Sequence, residues 1–217
     1  MSRRSIQTSG EVSGEASPTL PKLSPRPRRG SPDETRARLV AAAAEVFNQE
    51  GYDGTDSNKL ARAAGYAPGT FYKHFADKKQ LFLAVYDEWV TREWGAVAST
   101  LSESGSAHEQ ALRVVEVFLS HHRRWQRFRA SLRALVASDA EIRDFYRAQR
   151  RRQLDLLAQL RRGGARKPKS REEDALLLFT LERATDAVAE GETDALGLHQ
   201  SAFRALLVGL VERRLAG

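Results

Sequence analysis

Residues 65–82, GYAPGTFYKHFADKKQLF, place proline, glycine and several polar or aromatic side chains directly before the start of another helix. Pro68 suits the first position of a helix, because the N–H that it lacks would have no partner there. Phe71 and Phe75 are four residues apart and share a helix face, so both are expected to be buried. The segment therefore predicts a helix of about two turns, ending near Phe75, with one anchored face and one open, polar face.

Helix signals surround this segment. SPDE at residues 31–34 predicts a capping box with proline at the first helical position, and Gly51 is typical of a helix end. A short second helix is predicted after an N-cap at Thr55. Asp77 is predicted to cap a long fourth helix that ends near Ser102. Turns of three to four residues join these helices, and the middle pair has the dimensions of a helix-turn-helix.

The open face of the third helix has the chemistry of a nucleic-acid reader. A helix N-terminus offers free N–H groups and a positive dipole end, both suited to phosphate. Gly69 removes side-chain bulk where a backbone must approach closely. Lys78, just past the Asp77 cap, is placed to neutralise a phosphate. The side chains expected to reach bases or phosphates in a major groove are Thr70, Tyr72, Lys73 and His74.

Three stretches, TRARLVAAAAEVFNQEGYDGT, LARAAGYAPGTFYKHF and DKKQLF, resemble the N-terminal domain of the TetR (tetracycline-repressor) family of bacterial transcription regulators. The resemblance covers about residues 33–85 without gaps and rests on the pattern G-T-F-Y-x-H-F. It departs at Ala67, where the family often has serine, and at the polar DSN after Thr55. The resemblance implies DNA contacts from Thr55, Asn58, Lys59, Pro68, Gly69, Thr70, Tyr72, Lys73, His74 and Lys78, with phosphates held by Thr55 and Lys78.

Composition narrows the class of protein. The chain has 217 residues, 41% hydrophobic residues, no cysteine and a net charge of +7. The absence of cysteine excludes disulfides and thiolate zinc sites and fits a reducing cytoplasm. No apolar run of 18 residues and no signal-peptide core is present, so neither a membrane partner nor secretion is expected. Residues 31–80 carry seven basic and seven acidic side chains, so bulk charge does not decide whether the reader binds DNA.

The predicted fold class is all-α, with three parts. Residues 1–30, rich in Ser, Pro, Gly and Arg, are predicted to be a disordered basic tail. The resemblance implies that residues 31–78 form a helix-turn-helix DNA-binding domain and that residues 79–217 form a larger helical domain for effector binding and dimerisation. Helices in the second half are predicted at about 107–120, 124–137, 139–162, 171–190 and 194–215, with a loop at 161–170.

The last two predicted helices carry apolar stripes. A single helix-turn-helix makes few contacts, and dimers bind more tightly by placing two readers one DNA turn apart. The resemblance implies a homodimer through a four-helix bundle, whereas the alternative is that both stripes are buried within their own domain. The residues assigned to the dimer interface are Leu177, Leu181, Ala184, Val188, Phe203, Leu206, Leu207 and Leu210.

The resemblance also implies a small-molecule effector bound between the middle helices. The candidate lining residues are Trp89, Trp94, Phe118, His122, Trp125, Phe128, Leu132, Phe145 and Tyr146, and the alternative for each is a place in the ordinary core. Arg123, Arg124 and Arg127 could frame a pocket mouth for an anionic effector. His121 and His122 are adjacent, so their side chains diverge by about 100° on a helix and are not expected to bind one metal ion. No other cofactor is expected.

These observations favour a cytoplasmic, ligand-responsive repressor that binds a palindromic double-stranded DNA operator as a dimer and is released by its effector. An enzyme is the second hypothesis, but the chain carries no G-x-S-x-G, no glycine-rich phosphate loop and no H-E-x-x-H. A helical adaptor that binds an acidic partner through the basic residues 110–167 is the third.

Overall fold

The computed structural model describes residues 31–162 and 170–216, and every regular element within these ranges is an α-helix. The all-α class is therefore confirmed. The predicted tail at 1–30 and most of the predicted loop at 161–170 lie outside the described residues. In chain order the helices are α1 Pro32–Glu50, α2 Ser57–Ala63, α3 Pro68–Phe71, α4 Lys78–Ser102, α5 Ala107–Arg124, α6 Gln126–Ser138, α7 Ala140–Arg162, α8 Arg171–Ala189, α9 Glu192–Ala195 and α10 Gln200–Ala216. Within the described part, no helix combines the length and apolarity needed to span a bilayer.

The ends of α1 and the start of α4 follow the sequence signals. The backbone N–H of Glu34 donates to Ser31 Oγ at 3.2 Å, and the N–H of Ser31 donates to Glu34 Oε2 at 3.0 Å, which completes the predicted capping box. Gly51 ends α1 with φ of 78°, a left-handed value that glycine adopts without strain. Asp77 Oδ1 accepts the N–H of Gln80 at 2.7 Å and caps α4 as predicted.

Two predictions about the reading unit, residues 31–78, were wrong in detail. Asp56, not Thr55, caps α2, and its Oδ1 accepts the N–H of Lys59 at 2.8 Å. Helix α3 is one turn long instead of two, and a hydrogen-bonded turn follows it, in which the N–H of His74 donates to the carbonyl of Phe71 at 2.9 Å. No side chain caps α3 at Ala67, and the chain must reach the cap of α4 within a few residues, so the helix does not extend.

Aromatic side chains join the reading unit to the rest of the protein. Phe71 and Phe75 are both buried, as predicted. The rings of Phe47 and Phe82 meet edge to face at 5.2 Å, and Phe82 lies 4.8 Å from Phe128 of α6. Because Phe82 belongs to α4, one continuous core runs from α1 through α4 into α6.

The larger helical part forms around α5, which packs against α4, α8 and α10. Helix α5 continues to Arg124, four residues beyond the predicted end. The single helix predicted at 194–215 is instead two helices, α9 and α10. Gly197 lies between them with φ of 69°, a conformation incompatible with a continuing right-handed helix.

Candidate nucleic-acid interface and effector region

The polar face of α3 and of the turn after it is exposed, as the sequence predicted. Pro68, Gly69 and Lys73 are exposed, and the Tyr72 side chain retains 56% of its accessible surface. Phe71, next to Tyr72, is fully buried. Thr70 and His74 are half-buried at the edge of this face.

Gly69 is not required by the packing of this chain. Apart from its chain neighbours and the backbone of its own helix, a Cβ placed on Gly69 would meet no atom within 4 Å, and its φ is not in the left-handed region. The fold would therefore accept alanine there. A glycine that serves neither turn geometry nor internal packing is consistent with the close approach of an external backbone.

The neighbouring residues of α2 divide into exposed and buried sets. Asn58 and Lys59 are exposed, and the ammonium of Lys59 pairs with Glu50 at the end of α1. Thr55, by contrast, is buried, and its Oγ1 has no hydrogen-bond partner. The hydroxyl of Thr55 therefore has little surface from which to reach a phosphate in this conformation.

Lys78 has an internal role that the sequence did not indicate. Its Nζ donates to the carbonyl oxygen of Tyr52 at 2.8 Å and to that of Thr55 at 3.0 Å. The same ammonium lies 4.0 Å from the centre of the Tyr52 ring, a cation–π contact. Lys78 thus ties the loop between α1 and α2 to the start of α4. Two of its three N–H groups are used, and its contact with phosphate stays a prediction.

The structure buries most of the candidate effector residues. The buried ones are Trp89, Trp94, Phe118, His122, Trp125, Phe128 and Leu132, and the half-buried ones are Phe145 and Tyr146. Of these nine, Trp89 and Trp125 line a cavity of about 360 Å³ between α1, α4 and the end of α5. The other seven do not line that cavity.

A buried ionic network lies between α4, α5, α6 and α8, around one of those candidates. The guanidinium of Arg129 binds both carboxylate oxygens of Asp186, at 2.6 and 2.9 Å. Nδ1 of His122 lies 2.9 Å from Asp186, and its Nε2 lies 3.4 Å from Glu93. Because a buried charge without a partner is costly, each member of this network depends on the others. Within the described ranges, no group of three His, Cys, Asp or Glu is arranged to hold a metal ion.

The network changes the pKa values of its members. Burial alone would lower the pKa of His122, but hydrogen bonds to Asp186 and Glu93 outweigh it and raise this pKa above its ordinary value. For Asp186, burial favours the protonated form, yet hydrogen bonds from His122 and Arg129 hold the pKa well below its ordinary value. His122 and Asp186 therefore favour the charged pair.

The sequence prediction included His122 but missed Glu93, Arg129 and Asp186. A signal was present, because Glu93 follows Trp89 by four residues and Arg129 follows Trp125 by four. A charged residue one turn after a buried tryptophan shares its inward face. Such a position requires a buried partner, but the sequence does not indicate which residue supplies it.

The three arginines predicted to frame an anion pocket do not lie around one mouth. Arg124 lies at the rim of the 360 Å³ cavity and pairs with Glu45 of α1 at 3.4 Å. Arg127 donates to the backbone carbonyl of Gln49. Arg123 lies at a separate recess beside α10. Two of the three thus contact α1, since the end of α5 and the start of α6 pack beside it.

The predicted dimer stripes are partly internal. Leu181, Val188 and Leu207 are buried within their own chain, so their assignment to an exposed interface was wrong for this conformation. The half-buried members are Leu177, Ala184, Phe203 and Leu210. Leu206 is 73% exposed. The predicted face of α8 packs towards α5 and α10, and the apolar side chains on its outer side are Leu176, 68% exposed, and Phe179, 55% exposed.

Comparison with known proteins agrees with this architecture. Residues 39–85 match the model of the bacterial regulatory proteins of the tetR family. A transcriptional regulator from Saccharomonospora viridis, solved in complex with choline, superposes with a TM-score of 0.65 at 21% identity, over 83% of this chain and 96% of that one. Residues 39–85 are thus similar to the tetR family of bacterial regulatory proteins, and the chain as a whole shares its helical fold with the solved S. viridis protein.

Two relatives with described functions match the N-terminal part. The HTH-type transcriptional activator FasR of Mycolicibacterium smegmatis is 33% identical over 86 residues, which are 40% of this chain and 39% of FasR. The HTH-type transcriptional repressor AcnR of Corynebacterium efficiens is 35% identical over 74 residues, 34% of this chain and 37% of AcnR. The chain thus matches less than half the length of these relatives, which are transcription regulators and not enzymes by name.

Proposed function

We propose that this protein is a DNA-binding transcriptional regulator that inserts α3 into the major groove of a palindromic operator. The observation that carries the proposal is the contrast between adjacent residues: Phe71 is fully buried while Tyr72 is 56% exposed. Anchoring on one side holds the polar side rigidly towards a partner. The open space around Gly69 supports close approach by that partner.

The proposed DNA contacts come from α2, α3 and the turn after α3. Tyr72 and Lys73 are the leading candidates because both side chains are exposed. Asn58 and Lys59 of α2 flank them. Residues 31–78 are the proposed DNA-binding domain and the residues from 79 onwards the effector and dimerisation domain. Since α4 starts at Lys78, this helix connects the two.

We propose a homodimer, with a second copy of the chain covering the outer side of α8 and α10. Leu176, Phe179 and Leu206 expose large apolar surfaces that water solvates unfavourably. Two copies related by a twofold axis present this surface to each other, and the same symmetry matches a palindromic operator.

The proposed output is repression that a small molecule relieves. An effector acts only if it binds the DNA-incompetent conformation more tightly than the competent one. The choline complex of the S. viridis protein supports a small-molecule site in this fold. The relatives include both an activator and a repressor by name. Whether this protein represses or activates depends on the position of the operator relative to the promoter. For this role we propose a cytoplasmic location.

The test is selection of genomic fragments by the full-length chain, followed by fluorescence anisotropy on the enriched site at two salt concentrations. The proposal expects specific binding that weakens steeply with salt. Tyr72→Ala and Lys73→Ala should each reduce specific binding. Arg147→Ala, which removes a surface charge from α7, is the matched control and should bind as the wild type does. Failure to enrich any site, or equal binding by Tyr72→Ala, would overturn the proposal.

A further inference from the structure

His122 of α5 is fully buried, and one of its ring nitrogens faces two hydrogen-bond acceptors on α8. Its Nδ1 lies 2.9 Å from Asp186 Oδ1 and 2.8 Å from Thr185 Oγ1. The Thr185 hydroxyl donates to the carbonyl of Leu181 at 2.8 Å, so only its oxygen lone pairs remain for the ring. Because the Asp186 carboxylate and the Thr185 oxygen both accept, Nδ1 carries a hydrogen.

The other ring nitrogen of His122 faces a second carboxylate. Its Nε2 lies 3.4 Å from Oε1 of Glu93 on α4, and Glu93 is fully buried as well. Neither Nε2 nor either Glu93 oxygen makes a hydrogen bond elsewhere, and within the described residues the one ion-pair contact of Glu93 is with His122. Without a proton between them, a nitrogen lone pair would face a buried carboxylate. The contact is therefore attractive only while one proton lies between Nε2 and Glu93.

The other charges near His122 already have partners or are absent. Arg129 of α6 binds both carboxylate oxygens of Asp186. Burial lowers the pKa of His121, which favours the neutral ring beside His122. The further ion pairs on the surrounding helices are Arg133 of α6 with Glu190 of α8, Arg150 of α7 with Glu182 of α8, and Arg204 of α10 with Glu116 of α5. These pairs leave His122 as the cation for Glu93.

The contact joins helices from the two proposed domains. Helix α4, which carries Glu93, begins at Lys78, and the Lys78 ammonium binds backbone carbonyls of the loop between α1 and α2. Helix α8, which carries Asp186, also carries part of the surface proposed for dimerisation. Loss of the proton would leave Glu93 buried without a cation, which is costly, so α4 would have to move away from α5 or admit water.

We propose that His122 and Glu93 form a pH-dependent switch, in which the shared proton holds α4 against α5 and its loss releases α4 and changes the affinity for DNA. The effect on DNA rests on the proposed function, whereas the switch itself does not. Asp186 and Arg129 hold the ring of His122 in place in both states. The proton acts as an effector because it binds one conformation more tightly than the other.

NMR spectroscopy of the DNA-free, full-length protein tests the switch. The imidazole signals are followed from about pH 5.5 to about pH 8.5, and His122 is identified as the signal missing from His122→Gln. Burial opposes the charged ring, but hydrogen bonds to Asp186 and Glu93 raise the pKa of His122, so its signal should titrate above 6.5. Amide hydrogen exchange around Glu93, corrected for the intrinsic effect of pH, should be at least ~5-fold faster above that pKa.

Glu93→Gln is the decisive variant, because it keeps the shape of the side chain and its amide can donate to a neutral Nε2. It should lower the pKa of His122 and remove the pH dependence of exchange in α4. His108→Gln is the matched control, since His108 is exposed and pairs with Glu212 at 2.8 Å, and it should leave both measurements of the switch unchanged.

The wild-type titration keeps the proposal falsifiable if Glu93→Gln folds poorly. The switch is overturned if His122 titrates at or below 6.5, if exchange in α4 does not follow its protonation, or if Glu93→Gln behaves as the wild type does.

DNA binding is measured separately, by anisotropy on an enriched site at about pH 6 and about pH 8 and constant salt. The wild-type affinity should change at least ~5-fold in a way that Glu93→Gln lacks. His74, on the reading face, is present in both proteins, so any pH dependence of its own cancels in this comparison. Failure to enrich any site would refute the regulator, while the NMR result decides the switch. Equal pH dependence of DNA affinity in both proteins would refute the regulatory role.

Discussion

The side-chain amide of Asn48, near the end of α1, donates a 2.7 Å hydrogen bond to the backbone carbonyl of Arg124, 76 residues later. Its Oδ1 accepts the N–H of Phe128 at 3.4 Å. One side chain of the proposed DNA-binding domain therefore satisfies two backbone groups at the junction of α5 and α6. Next to it, Ser131 Oγ accepts the N–H of Tyr52 at 3.0 Å. These bonds link α1 to α6 beside the core contact between Phe82 and Phe128.

Asn48→Ala removes both bonds and leaves two backbone groups unsatisfied, so we expect the free energy of unfolding to fall by about 1–3 kcal/mol. Urea denaturation measures this. Hydrogen exchange should also become faster at the start of α6. Gln49→Ala is the control, because the contact at that position uses the backbone carbonyl. Equal losses in both variants would mean that Asn48 does not link the two parts.

Phe71→Ala and Tyr72→Ala should separate stability from recognition. Phe71 is fully buried, so its truncation should cost about 3–5 kcal/mol and unfold the reading unit. Tyr72→Ala should leave the melting temperature nearly unchanged and reduce specific DNA binding. Thermal melts and anisotropy on the same preparations provide the comparison. A large drop in stability for Tyr72→Ala would show that its ring serves packing.

Lys78→Ala tests two roles at one position. Loss of the bonds to Tyr52 and Thr55 should lower the free energy of unfolding by about 1–3 kcal/mol. If Lys78 also binds a phosphate, binding to all DNA should weaken and the salt slope should fall by about one. Lower stability with an unchanged slope would assign Lys78 to the internal role alone.

A charge on the outer side of α8 or α10 should dissociate the proposed dimer. We expect Phe179→Glu and Leu206→Glu to give monomers in light scattering, because each would bury an unpaired carboxylate in the interface. Ala130→Glu, at an exposed position of α6, is the control. If the wild type is itself monomeric, or both variants remain dimers, the surface does not pair two copies.

The buried His122 should make stability depend on pH. Its pKa is raised in the folded protein, so its contribution is fully present below the ordinary value of 6.5 and is lost as pH rises through the folded-state pKa. The free energy of unfolding of the wild type, compared with that of His122→Gln, should therefore decline from about pH 6.5 upwards. Asp186 adds the opposite effect in acid, because its lowered pKa makes its contribution disappear as pH falls below 3.8. Parallel pH profiles for wild type and variant would contradict the charged pair.

The reading unit was largely predictable because its signals are local. Caps at Ser31 and Asp77, the glycine end at Gly51 and the buried pair Phe71 and Phe75 each depend on residues within one or two turns. The misassigned cap at Thr55 shows the limit of that reasoning, since neighbouring Asp56 offers the better acceptor and takes the cap. Where two adjacent residues can both cap, local pattern alone does not choose.

The inward face of a long helix was less predictable. Leu181 and Leu206 both lie on apolar stripes, yet one is buried in its own chain and the other is 73% exposed. Which stripe faces inward depends on which neighbouring helices pack against it, and those neighbours lie far away in the chain.

Local chemistry along the chain thus specified most of the helices, both ends of α1, the start of α4 and a short anchored helix with an open polar face, because hydrogen bonds and side-chain spacing within a few residues determine them. Only the tertiary structure shows that Asn48 binds the carbonyl of Arg124 and that Arg129 binds Asp186. It also shows that Lys78 binds the carbonyls of Tyr52 and Thr55 and that a cavity lies beside Trp89. Those arrangements bring together groups dozens of residues apart, and it is the mutual packing of whole helices, with the need to satisfy every buried polar group, that selects them.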